Sequence, residues 1–179
     1  MIRNVADILR NHVATVEWVD VAGGIAQPIR VGDKISPAWW DGNKWIDMSP
    51  DSKKRGIVFF RADESEMAAA SGGRVRETCD LNMLCWYNMK QINIGDKDSR
   101  PVLDVCDVIP GKIWHTNGII TARIQYQNVN RDINVFNDYT FNENKAYTVY
   151  PYGVFMVTFR VDFWYALSCH TRGNVTSVC

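Results

Sequence analysis

The chain carries no surplus of charge: twenty Lys and Arg balance twenty Asp and Glu over 179 residues, for a formal net charge of zero. A protein whose main task is gripping nucleic acid needs a basic surface, so this balance argues against that class. It also leaves little electrostatic repulsion between copies near neutral pH, which favours self-association. No apolar run is long enough to cross a bilayer, so no membrane role is expected. The opening residues, MIRNVADILRNHV, lack the apolar core and small-residue cleavage site of a secretory signal. The phosphate-cradling pattern GxxxxGKS/T, the dinucleotide pattern GxGxxG and the hydrolase pattern GxSxG are all missing.

Cysteine is present without a framework. Cys79, Cys85, Cys106, Cys169 and Cys179 are odd in number and irregularly spaced, so reduced thiols in a cytoplasmic protein are expected, several of them buried as small hydrophobes. Cys79 and Cys85 are too far apart for a zinc knuckle, and Cys169-His170 and the distant His115 do not complete one. Cys85 falls in an apolar strand and Cys106 on the apolar side of a helix, where thiols are inert rather than nucleophilic. The carboxylates Asp41, Asp47, Asp51, Asp63, Glu64, Glu66, Asp96 and Asp98 cluster in loops beside Gly and Lys, the pattern of solvated turns. Asp96-Lys97-Asp98 starts like a calcium loop but lacks its Gly and distal Glu. Asn174-Val175-Thr176 matches a glycosylation sequon by chance. No catalytic, metal or cofactor-binding residue is expected, and the chain does not read as an enzyme.

What is there is a sheet. Hydrophobic residues make up 46% and charged residues 22%, an ordinary globular composition for one domain spanning 1–179. In Gly153–Tyr165, GVFMVTFRVDFWY, one parity holds Phe155, Val157, Phe159, Val161, Phe163 and Tyr165 and the other Thr158, Arg160 and Asp162. Side chains of a strand alternate between faces, so this is a long strand whose odd face receives the helices. The even face is interrupted by Met156 and Trp164, which marks it for a neighbouring subunit.

The rest reads in order. Residues 2–14 form a helix with Ile2, Val5, Leu9 and Val13 on one stripe and Arg3, Asp7, Arg10 and Asn11 opposite. Val16–Val31, split by Gly23-Gly24, reads as a hairpin, with Pro28 keeping its strand at an edge. Asp41-Gly42 turns between Trp39-Trp40 and Trp45-Ile46. Gly56–Arg61 is a strand covered on both faces. Residues 62–80, small, charged and Gly-rich, read as a flexible loop or arm, with a helical turn at Ala68–Ala70. Leu81–Ile94 is strand, and Ser99–Ile109 is helix with Ser99 as N-cap and Pro101 in the first turn. Ile119–Tyr126 is strand, Asn128–Asp132 a turn, Ile133–Phe141 strand and Asn142–Lys145 a break. The sum is α+β: a mainly antiparallel twisted sheet, an N-terminal and a second helix packed on it, and a hairpin excursion. The Trp-rich segment Ala38–Ile46 has three readings: a cluster pinning its own loop, a protein interface, or a carbohydrate-stacking platform.

The helix at Ile2–Val13, the hairpin around Gly23-Gly24, the helix at Pro101–Ile109 and the terminal strand Val154–Tyr165 follow an order that resembles the tail-terminator and neck-ring proteins of tailed bacteriophages. WIDMSPDSKKRGIVFFR and YPYGVFMVTFRVDF resemble virion ring proteins of crAss-like phages. The resemblance implies a homo-oligomeric ring, sixfold or twelvefold, connecting portal to tail around the DNA channel, in the virion and, during assembly, in the host cytoplasm. It implies portal or other neck and tail proteins as partners, and DNA that passes without sequence-specific binding. Trp39, Trp40, Trp45, Met156 and Trp164 are then expected at interfaces, and Glu64, Glu66, Asp96 and Asp98 on the lumen or between rings. The rival expectation is a β-rich binding module, of carbohydrate or adhesin type, using Trp39, Trp40 and Trp45.

Overall fold

The computed structural model describes residues 2–63, 66–71, 74–95, 98–114, 120–140 and 150–166. Helix α1 (Ile2–Val13) buries Val5, Ala6, Leu9 and Val13 along the stripe read from the sequence. Helix α2 (Arg100–Asp107) buries Pro101, Val102 and Val105. Ser99 occupies the N-cap position but its hydroxyl caps nothing. Its neighbour takes that role: the Arg100 backbone N–H donates to Asp98 Oδ1 at 2.8 Å.

The strands are β1 (Val21–Ile25), β2 (Gln27–Val31), β3 (Lys34–Trp40), β4 (Trp45–Asp47), β5 (Gly56–Ala62), β6 (Glu66–Ser71), β7 (Arg74–Asn88), β8 (Lys112–Trp114), β9 (Ile120–Asn130) and β10 (Tyr152–Ala166). The main sheet runs β1-β5-β7-β10-β9-β8, and β6 pairs with the end of β7 that β5 leaves free. Every pair in it is antiparallel except β1 with β5. Strands β2-β3-β4 form a separate small antiparallel sheet, inserted between β1 and β5. The fold is α+β.

Two cores lie on the two faces of the main sheet. On one, Phe155, Val157, Phe159, Val161 and Phe163 of β10 and Cys79, Leu81, Met83 and Cys85 of β7 meet Val5, Leu9 and Val13 of α1 and Val102 and Val105 of α2. The odd face of β10 is thus the helix face, as its alternation predicts. On the other, Leu84, Trp86, Ile57, Phe59 and Val154 meet Met48 and the short 3-10 helix η1 (Ile133–Phe136), with Phe136 and Tyr139 packed edge-on against Phe59. Because β5 contributes to both cores, its run of apolar residues is covered on both faces as expected. Each buried Phe contributes about 1.5–3 kcal/mol relative to exposure.

Six sequence expectations are corrected. Gly23-Gly24 is no hairpin turn but lies inside β1, at an irregularity in its register with β5. A Cβ on Gly24 would sit 2.6 Å from both Asp7 Oδ1 and Trp39 Nε1, and one on Gly23 2.9 Å from the Met48 methyl. The pair is there for close approach, the other use of glycine within a strand. The loop or arm expected over 62–80 carries strand instead, in β6 and the first part of β7, and Ala69 and Ala70 pair with Arg76 and Val75 rather than forming a helical turn. Pairing along β7 outweighs alanine's helix preference, since intrinsic propensity yields to tertiary context. Ile133–Phe136 is a 3-10 turn rather than strand, because the Asp132 carboxylate accepts the Asn134 N–H at 2.9 Å and closes it. Strand β9 runs on to Asn130 through part of the expected turn, while β7 ends at Asn88, short of Ile94. The Asn142–Lys145 break lies outside the described residues.

Candidate functional site

Strands β3 and β4 are joined through the turn that Asp41-Gly42 predicts. Gly42 takes φ +105°, a conformation open to glycine at little cost. The Asp41 carboxylate accepts the N–H groups of Asn43 and Lys44, both at 2.8 Å. Those two bonds, Lys44 first, hold the Asp41 carboxyl below its ordinary pKa. The hairpin end is therefore fixed from within, and it sets Trp40 opposite Trp45. Their rings meet edge to face at 5.5 Å and 60°, and each residue remains 47% exposed.

Alternation turns Trp39 the other way, toward the main sheet, where it packs against the second core. The Arg10 guanidinium lies 4.6 Å from the centre of a Trp39 ring. This brings α1 into contact with the small sheet. Between them runs a cleft of about 810 Å³, walled by Arg3, Asn4, Asp7 and Arg10 of α1, by Ile25 and Gln27, and by Trp39, Trp40, Asp41, Gly42 and Trp45. Arg10 also bonds Asn11 at 2.9 Å and lies 4.0 Å from Asp7. The wall pairs two arginines with two aspartates, so it carries no net formal charge. The sequence placed these helix residues on the face away from the core, but nothing in their spacing said that a hairpin far along the chain would fold over them.

The other expected site residues disperse. Met156 packs against the second core, which accounts for its interruption of the even face. Trp164 sits toward the opposite end of β10, beneath the Arg76 guanidinium at 5.7 Å. The five expected interface residues therefore do not form one patch. Glu66 begins β6 opposite Thr78. Asp98 is held by Arg100, 2.6 Å from its Nη2, and hydrogen bonds from that side chain and its backbone keep its carboxyl acidic. Glu64 and Asp96, like His115, Cys169, His170 and Cys179, lie outside the described residues. Asp47 and Asp51 accept backbone N–H groups of their own turns, from Ser49 and Lys53.

One polar centre escaped the sequence altogether. Asp162 is 2% exposed, accepts the Thr78 hydroxyl at 2.8 Å and meets Arg76 Nη2 at 3.1 Å. Two rows away on the same face, Thr158 donates to Asn82 Oδ1 at 2.8 Å and Asn82 donates to Asp63 at 3.1 Å. The thiols are quiet: burial pushes Cys79 up to about 11, with nearby Asp63, Asp80 and Glu77 adding to it, and burial also raises Cys85 and Cys106. None is a ready thiolate near neutral pH. Among the described residues no group of three or more His, Cys, Asp and Glu is placed to hold a metal ion, and no helix is long and apolar enough to cross a membrane. No protein-family model matches the chain, and no curated protein matches it in sequence.

Proposed function

We propose that this chain is a structural subunit of the neck or tail of a tailed bacteriophage. Copies assemble into a ring of six or twelve around the DNA channel and join portal to tail. The observation that carries this reading is the half-finished even face of β10. Up to Met156 that face is core. Beyond Thr158 it becomes a polar plateau, with Asp80-Arg160-Gln125, Thr78-Asp162-Arg123 and Arg76-Trp164 side by side across β7, β10 and β9. Arg76, Arg123 and Arg160 are exposed there, around the half-buried Trp164. A charged rim around an aromatic suits a contact between copies more than a site of chemistry.

The order α1, small-sheet excursion, main-sheet strands, α2 and long terminal strand also supports the reading, with the excursion at β2-β3-β4 instead of Gly23-Gly24. A ring needs a heterologous contact that closes, the plateau of one copy meeting a different surface of the next. In this reading the subunit works by geometry without catalysis, and acidic residues such as Glu66 and Asp98 keep DNA from adhering to the lumen. Light scattering on the purified chain, followed by negative-stain imaging, tests it. The expected particle has six or twelve times the chain mass and a central hole, and an Arg160→Glu variant no longer assembles. A chain that stays monomeric at high concentration, as the rival binding module would, overturns the proposal.

A further inference from the structure

The cleft between α1 and the tryptophan hairpin has no part in the plateau contact, and its composition is specific. We propose that it is a saccharide-binding site, taking a neutral oligosaccharide chain against Trp40 and Trp45. This goes beyond the structural role above and does not depend on it.

Three observations carry the assignment. The first is the aromatic pair. Trp40 and Trp45 are each 47% exposed although the protein has two apolar cores in which to bury rings. Large aromatic side chains held partly in water and lining a cavity mark a binding surface more than a fold element. A pyranose ring has a face of C–H groups that stacks on an indole, and hydroxyls around its edge that need hydrogen bonds.

The second observation supplies those bonds. Asn4, Asp7, Arg10, Gln27 and Asp41 line the same cleft, and each ends in a planar amide, carboxylate or guanidinium. The Asn4 and Gln27 amides each set a donor beside an acceptor and the Asp7 carboxylate offers two acceptors, which match adjacent hydroxyls of a sugar, while Asp41 Oδ1 is already held by its turn and Arg10 Nε and Nη2 by Asn11. The third observation is charge. Arg3 and Arg10 are offset by Asp7 and Asp41, so a polyphosphate meets two carboxylates and a basic peptide meets two guanidiniums. A neutral, hydroxyl-rich chain meets no like charge. At about 810 Å³ the cleft is of the size that holds small ligands, and it admits more than one sugar unit. The platform is set before a ligand arrives, because Asp41 ties down the turn that carries both rings.

A glycan microarray probed with the labelled full chain identifies the oligosaccharide, and its titration is then followed by intrinsic tryptophan emission. The expected result is a saturable change in emission, with Trp40→Ala and Trp45→Ala each weakening binding by about tenfold, equivalent to about 1.4 kcal/mol. Trp40→Phe keeps a stacking face and loses less, while Leu103→Ala, an exposed residue on α2 away from the cleft, binds as the parent does. Circular dichroism of the alanine variants establishes that they remain folded. The proposal is overturned if no glycan produces a saturable change, or if binding is unaffected by both tryptophan substitutions. It is equally overturned if those substitutions abolish self-association in a chain that binds no glycan, since the hairpin is then a contact between copies.

Discussion

The two faces of β10 are built from one stretch of fifteen residues, yet they end differently. The odd face is apolar along its described length because two helices lie over it, from Phe155 beside Tyr87 to Phe163 beside Ala122. The even face is apolar at Val154 and Met156, where η1 packs against β10, and turns polar from Thr158 onward. A strand's sequence thus records what covers each face, residue by residue. The difference teaches that the even face changes purpose along its length, from holding the fold to meeting the outside.

The sharpest way to break that comparison is to cut neighbouring residues on opposite faces. Phe159→Ala removes a ring that is 2% exposed in the helix-side core, and a loss of about 3–5 kcal/mol is expected by denaturant unfolding. Phe136→Ala, in the opposite core at 1% exposure, should cost nearly as much if the second face is a core in its own right. A loss below about 1 kcal/mol there would show that η1 decorates the sheet without stabilising it. Thr158→Ala, one residue from Phe159, should cost only about 1 kcal/mol, the share of its bond to Asn82.

Asp162 comes next. Asp162→Ala removes the acceptor of Thr78 and the partner of Arg76, for an expected loss of about 1–3 kcal/mol. Arg76 is itself half exposed and regains water, which keeps the effect below that of the aromatic cuts. A loss as large as that of Phe159→Ala would mean that the plateau is interior, and would remove its place as a contact surface.

The smallest effect is one of pH. The folded Cys79 thiol titrates near 11, above its ordinary value of 9.0, because the native state favours the neutral form. Its contribution is therefore complete below pH 9 and is lost as pH rises through 11. Unfolding midpoints measured across that window should fall for the parent and fall less steeply for Cys79→Ala. Parallel curves would show that the thiol is not buried with the helix-side face.

Much of this was legible in the sequence because periodicity reports burial directly. The stripe of α1, both-face cover of β5 and the parity of β10 all follow from it. Glycine misled, since Gly23-Gly24 has the same letters whether it serves a turn or lets Trp39 and Met48 approach. Composition misled at 62–80, where small and charged residues suit a pair of strands as well as a loop. The cleft was half legible: its tryptophans stood out, but Asn4 and Asp7 join them only because the β3–β4 hairpin folds over α1, a contact between separate parts of the chain that no local pattern records.

The position of β10 at the centre of the main sheet has a consequence for how the protein forms. Its partners β7 and β9 both precede it in sequence, and it is the last strand described. On the ribosome, those two strands therefore emerge with their inner edges open, and the sheet closes only when β10 slots between them. Such distant pairing makes folding slow and leaves unpaired apolar edges exposed meanwhile. A nascent chain stalled before β10 is the form most prone to aggregate, and the form for which a chaperone matters most.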